Sequence, residues 1–222
     1  MQTNNNGRDR ALYEKVLKMA PKGSVPTLAT LREERVLVNN NGTYTFEFNE
    51  QRAGQRPTET LLSLKDMFVA NSIALGILVE RKTKPGTGVV HRYPSMHVVA
   101  QAGATNATDL ESIFNGHLKA QIDQQVMMDK FSTRRFRHVP QGSGINTDAG
   151  ITGAIQSSPN DGLVMLEPNL ILRGTKKNTF TLTIPTFEVA AAIAATDAAF
   201  DVRVVLELNG FIIPGGAGLT QQ

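Results

Sequence analysis

Four histidines, His91, His97, His117 and His138, are the only imidazoles in the chain, and cysteine is absent. Thiol nucleophiles, disulfides, zinc ribbons and iron–sulfur clusters are therefore excluded. No two histidines stand at the i, i+4 spacing that aims both at zinc from one helix face, and none has a nearby carboxylate at metal-motif spacing. They read as satisfied strand or surface side chains. A sandwich can gather distant residues, and His91 and His97 with Glu111 are the set it would gather, but nothing in their spacing asks for a metal. Gly142-Ser143-Gly144 lies in a polar stretch, without the strand before and helix after that expose a nucleophilic serine. Gly86-Thr87-Gly88 lacks the lysine and the helix N-terminus of a phosphate cradle. The carboxylate pairs Glu33-Glu34 and Glu47-Glu50 sit among polar neighbours, a solvated setting that gives no reason for a raised pKa. The residues predict neither catalysis nor a cofactor.

The densest charge cluster is Lys130-Phe131-Ser132-Thr133-Arg134-Arg135-Phe136-Arg137-His138, with aromatics between cations and no carboxylate inside. Such a run can meet phosphate. It also fits an edge strand with Phe136 inward and Arg135 and Arg137 outward, toward carboxylates of a neighbour. Lys130, Arg134, Arg135 and Arg137 are thus candidates for a subunit interface or for phosphate contact. The first is favoured, because a formal charge of only +3 gives little general pull on nucleic acid. With no Trp and only 3 Tyr, a stacking platform for bases or sugars is poorly supplied.

The elements that must position these residues are mostly strands. In 222 residues, 41% hydrophobic and 19% charged, there is enough apolar material for one large β core. Asp9–Ala20 has helical spacing, with Leu12, Val16 and Met19 in one stripe, Asp9 at the cap and Pro21 as the stop. A helix this short needs a docking surface. Leu12, Val16 and Met19 are therefore the arm's candidate interface residues, on a neighbouring subunit or back on their own domain. Lys22–Pro26 reads as an extended connection. From Arg35 the period becomes two. Val36–Val38 and Thr43–Phe48 around Asn39–Gly42 predict a hairpin, with Tyr44, Phe46 and Phe48 on one face.

Two strands are expected within 62–79, a helix over 60–70 being the rival, and the turn Lys82–Gly88 predicts another hairpin into Val89-Val90. Asp109–Phe114 suits one or two helical turns ended by Asn115-Gly116 as a left-handed cap, and His117–Met128 suits one strand. Residues 140–160 form a long polar loop or intersubunit extension. The last third holds strand-like runs at 163–166, 170–172, 179–184 and 202–208, with an Ala-rich helical segment over Phe187–Phe200 capped by Thr186. About ten strands without a βαβ rhythm predict a mainly β fold: an antiparallel β-sandwich, jelly-roll-like, with a short N-terminal helix and extended arm. The expected organisation is 1–34 as helix and arm and 35–222 as the sandwich domain. No secretory h-region and no transmembrane segment is read, which places synthesis in a cytoplasm.

Short signatures along the chain add a resemblance. Leu64-Lys65-Asp66-Met67-Phe68, Ile73-Ala74-Leu75-Gly76, Arg92-Tyr93-Pro94, Leu110–Gly116 and Arg134–Pro140 are similar to stretches of β-rich virion structural proteins of bacteriophages. Leu170–Gly174, Lys176-Lys177-Asn178 and Val202–Leu208 running into Asn209-Gly210-Phe211 resemble the closing strands of such chains. The resemblance implies a non-enzymatic, self-assembling capsid or capsid/tail-associated protein of a bacteriophage virion, made in the host cytoplasm. Its partners would be copies of itself and other virion proteins. The other reading is a β-sandwich binding module for glycan or another surface ligand, with polar loops supplying contacts.

Overall fold

Met67–Arg81 carries almost no polar alternation, and in the structure it is one strand buried on both faces. The structure is a computed structural model that describes residues 5–49, 54–92, 107–138, 141–142, 145–147, 150–152, 155–156, 162–186 and 200–218, with the backbone alone for 5–9, 107–109 and the pairs between 141 and 156. The chain opens with helix α1 (Asn5–Met19), then strands β1 (Thr27–Val36), β2 (Thr43–Glu47), β3 (Met67–Arg81) and β4 (Val90–His91). A 3-10 helix (Ala107–Asn115) leads into β5 (His117–Ile122) and β6 (Gln125–Ser132), and a second (Thr133–Phe136) follows. Short strands β7 (Gln141–Gly142), β8 (Ile145–Thr147), β9 (Gly150–Thr152) and β10 (Ile155–Gln156) precede β11 (Leu163–Arg173), β12 (Asn178–Thr183) and β13 (Phe200–Ile213).

One sheet has the order β1-β13-β3-β11, with β4 also on β3, and the other β2-β12-β5-β6. Every neighbour in both is antiparallel. With β4 and β7 to β10 set aside, the first sheet takes strands one, eight, three and six in chain order, and the second takes two, seven, four and five. That interleaving is the jelly roll, two antiparallel sheets wound as Greek keys. Val36 lies opposite Arg203, Phe200 opposite Arg81, and His117 opposite both Thr183 and Ser132. The connections 82–116, 133–162 and 184–199 therefore all depart from one end of the sandwich. The other end carries the tight turns at 123–124 and 174–177.

Between the sheets Phe46, Phe48, Phe68, Phe114, Phe136 and Phe180 are fully buried. Phe48 and Phe180 meet edge to face at 5.3 Å between centroids, the arrangement that ring quadrupoles favour. α1 covers part of the first sheet's outer face. Val16 is wholly buried against Met67, Val69, Phe211 and Ile213, with Leu12, Tyr13 and Met19 packed around it. The apolar stripe thus docks on its own sandwich within this chain. The helix begins at Asn5, so Asp9 lies inside it rather than at its cap.

Several local expectations are corrected. β1 and β2 do not pair as a hairpin: β1 pairs β13, β2 pairs β12, and residues 37–42 cross between the sheets. The face assignment holds, with Tyr44, Phe46 and Phe48 buried. The stretch 62–79 is neither two strands nor a helix, since β3 starts at Met67 and Leu62 makes an isolated bridge to Asn49. His117–Met128 is two strands, because Asp123 takes a left-handed φ of 56° and turns the chain back. Gly116 is not left-handed. Glycine is needed there because a Cβ would lie 2.0 Å from the Thr183 carbonyl oxygen. The polar stretch 140–160 contains nested pairing, β7 with β10 and β8 with β9. The hairpin after Lys82–Gly88 forms as expected, with Ile77 opposite His91. The helical expectation over 187–199 lies outside the described residues, and Phe200 opens β13.

Candidate functional site

The basic cluster is divided by the fold. β6 is an edge strand of its sheet and ends at Ser132; a 3-10 turn then buries Phe136 in the core. The four candidate cations remain exposed, but two are engaged within the chain. Arg137 pairs with Glu111 at 3.0 Å, and Arg135 lies 5.1 Å above the Phe131 ring, a cation–π contact. Arg134 and Lys130 stay on the surface, Lys130 with a φ of 48° at the strand edge. Phe136 is inward and Arg135 and Arg137 outward as expected, but the edge strand stops at Ser132, and a 3-10 turn with Arg137 at its C-terminal cap, rather than a strand, carries them.

The carboxylates read as solvated contain the largest surprise. Glu33 and Glu34 are 0% and 2% exposed. Arg56 Nη1 donates to Glu34 Oε2 at 2.6 Å, and Arg32 Nη2 donates to Glu34 Oε1 at 2.7 Å. Arg56 also pairs with Glu80, which accepts from Arg203 Nε at 3.1 Å and from the Gly86 amide at 2.8 Å. The Glu59 carboxylate accepts from the Glu34 and Arg56 amides and so fastens 54–60 over the sheet. Arg35 pairs with Glu33, and Arg92 with Glu207 at 3.2 Å. Burial alone would raise the Glu80 pKa, yet the Gly86 amide and the Arg56 and Arg203 guanidiniums outweigh it and hold it below its ordinary value. Cations and amides fix these carboxylates in place, and Glu80 is favoured in its ionised form, which suits a clamp and not an acid catalyst. Arg32-Glu33-Glu34-Arg35 supplies two pairs within itself, Arg32 with Glu34 and Arg35 with Glu33, but Arg56, Glu80 and Arg203, which complete the network, are too distant in sequence to see.

The remaining candidates stay apart. His91 is half-buried in β4, and burial lowers its pKa; His117 is exposed at the start of β5. His97, Ser143 and Glu50 lie outside the described residues. Glu111 is taken by Arg137 and Glu47 pairs with Lys177 at 3.3 Å. Among the described residues no three His, Asp or Glu side chains cluster as a metal site, and no helix is long and apolar enough to cross a membrane.

One concavity was not legible in the sequence. A cleft of about 650 Å³ opens at the sandwich edge, where the β5–β6 turn of one sheet approaches β11 and the β11–β12 turn. Ile122, Met127 and Ile171 give it apolar walls, and Asn169, Arg173 and Lys176 polar ones. Its turns are latched together: Lys176 Nζ donates to Asp123 Oδ2 at 2.8 Å, and the Asp123 amide to the Lys177 carbonyl at 2.7 Å. The Asn178 amide group, buried beside them, donates to the Arg173 and Lys176 carbonyls. No protein-family model matches this chain, and no curated protein matches it.

Proposed function

We propose that the chain is a non-enzymatic, self-assembling structural protein of a bacteriophage virion, a capsid or capsid-associated component. The observation that carries this reading is the strand order of the two sheets, the jelly roll used by many virus shells. The same architecture also serves lectins and metal barrels, so the fold supports the reading without being specific to it. Two further features agree with it. Edge strands β1, β2, β6 and β11 bound both sheets, and the strand ends at Arg81, Ser132 and Thr183 lie together at one end of the sandwich. Lys130 on the β6 edge and Arg134 on the 3-10 turn after it then serve contacts between copies, with nucleic acid the less favoured partner.

Light scattering of the purified chain over a wide concentration range tests the proposal. A closed oligomer or particle of fixed mass is expected. A monomer at every concentration contradicts self-assembly and favours a binding module.

A further inference from the structure

The partly buried arginines Arg32, Arg35, Arg56, Arg92 and Arg203 each meet a carboxylate. Arg173 is also partly buried, yet among the described residues no carboxylate pairs with its guanidinium, although it lines the edge cleft. Its guanidinium is thus an uncommitted donor fork at the cleft, and that planar fork matches a carboxylate in bidentate geometry. The adjacent Lys176 is already held by Asp123, so the uncommitted positive charge falls on Arg173. The surroundings narrow the ligand further. Ile171 and Met127 offer an apolar surface beside the charge, and the carboxamides of Gln124 and Gln125 offer both donors and acceptors. A bare inorganic anion has no use for the apolar wall, and a purely apolar ligand has none for the arginine. A pyranose bearing a carboxylate uses all three: charge on Arg173, hydroxyls on the carboxamides, and a C–H face against Ile171 and Met127. The latched turns set these groups in place before a ligand arrives, which limits the ordering cost of binding.

We propose that this cleft binds an acidic sugar, a uronic-acid-type residue whose carboxylate is received by Arg173. The proposal goes beyond the virion reading and does not depend on it, since the cleft lies within a single chain.

Thermal melting of the full-length protein tests it with glucuronate, glucose and inorganic phosphate at equal ionic strength. Glucuronate at about ten times its dissociation constant raises the melting temperature by about 3–5 °C. Glucose and phosphate give less than a third of that shift. Arg173→Gln removes the glucuronate shift and leaves the ligand-free melting temperature close to wild type, because the guanidinium makes no ion pair to lose. Met127→Glu, at a side chain already 43% exposed, sets a like charge at the mouth and weakens binding at least threefold in a titration. An equal shift with phosphate, or a shift that survives both substitutions, overturns the proposal, as does no shift with saturating glucuronate. Assembly state read by light scattering on the same samples separates this outcome from any failure of the virion reading.

Discussion

Replacing Arg56 by alanine breaks the clamp on the first sheet's outer face at its centre. The Arg56 side chain is 13% exposed, and the side chains of its partners Glu34 and Glu80 are 0% and 2% exposed. Both carboxylates would keep one cation each, Arg32 for Glu34 and Arg203 for Glu80, but in a site with little water to take up the rest. Removing one member of such a buried set costs about 3–5 kcal/mol, a large share of the roughly 5–15 kcal/mol available to a domain. For a chain of this size that corresponds to a fall in melting temperature of about 10 °C. Urea denaturation of wild type, Arg56→Ala, Glu80→Gln and the double variant measures the coupling. The double variant is expected to lose less than the sum, because Glu80→Gln removes the charge that Arg56→Ala strands.

The pH dependence checks the same point. The folded-state pKa of Glu80 lies below its ordinary 4.5. Its contribution is therefore fully present above that value and lost as pH falls through the folded one. The gap between wild type and Arg56→Ala should narrow over that acid range. A loss of under about 1 kcal/mol for Arg56→Ala, the size of an exposed pair, with no such narrowing, would refute the reasoning.

Gly210→Ala puts a Cβ 2.0 Å from the Val69 carbonyl oxygen, across the bulge between β13 and β3; a loss above about 2 kcal/mol is expected in urea, whereas Gly23→Ala, with φ of 89° and open space around it, costs only about 1 kcal/mol. Val16→Asp buries an unpaired charge under α1, so limited proteolysis should cut the helix rapidly while the sheets persist. Burial lowers the His91 pKa below 6.5. This group therefore costs stability as pH falls below 6.5, and an NMR titration should find the His91 pKa below that value. A His91 pKa at or above 6.5 would contradict the burial of β4.

The fold class was readable because alternation is a local property. Tyr44, Phe46 and Phe48 share one face by their spacing alone, and all three are buried. Partners were not readable. Asn39–Gly42 has hairpin composition, yet the strands on either side join different sheets, since pairing is decided by β12 and β13 far along the chain. The break at Asp123 is inconspicuous because Asp123-Gln124 carries no Gly or Pro, and Asp123, whose side chain tolerates a left-handed φ, is its one local turn signal. The charge clamp and the edge cleft were missed for one shared reason: each is assembled from segments separated by tens of residues, so the sequence presents its parts as ordinary surface. β3 reads as continuous hydrophobics because α1 and the chain around 84–92 cover the face that would otherwise be wet.

Electron microscopy of the purified full-length chain at low and high salt tests the central claim most directly. The account predicts closed particles or rings of one size, built from repeated copies and retained in part at high salt because the contacts are not charge alone. Monomers or irregular aggregates under every condition would contradict it.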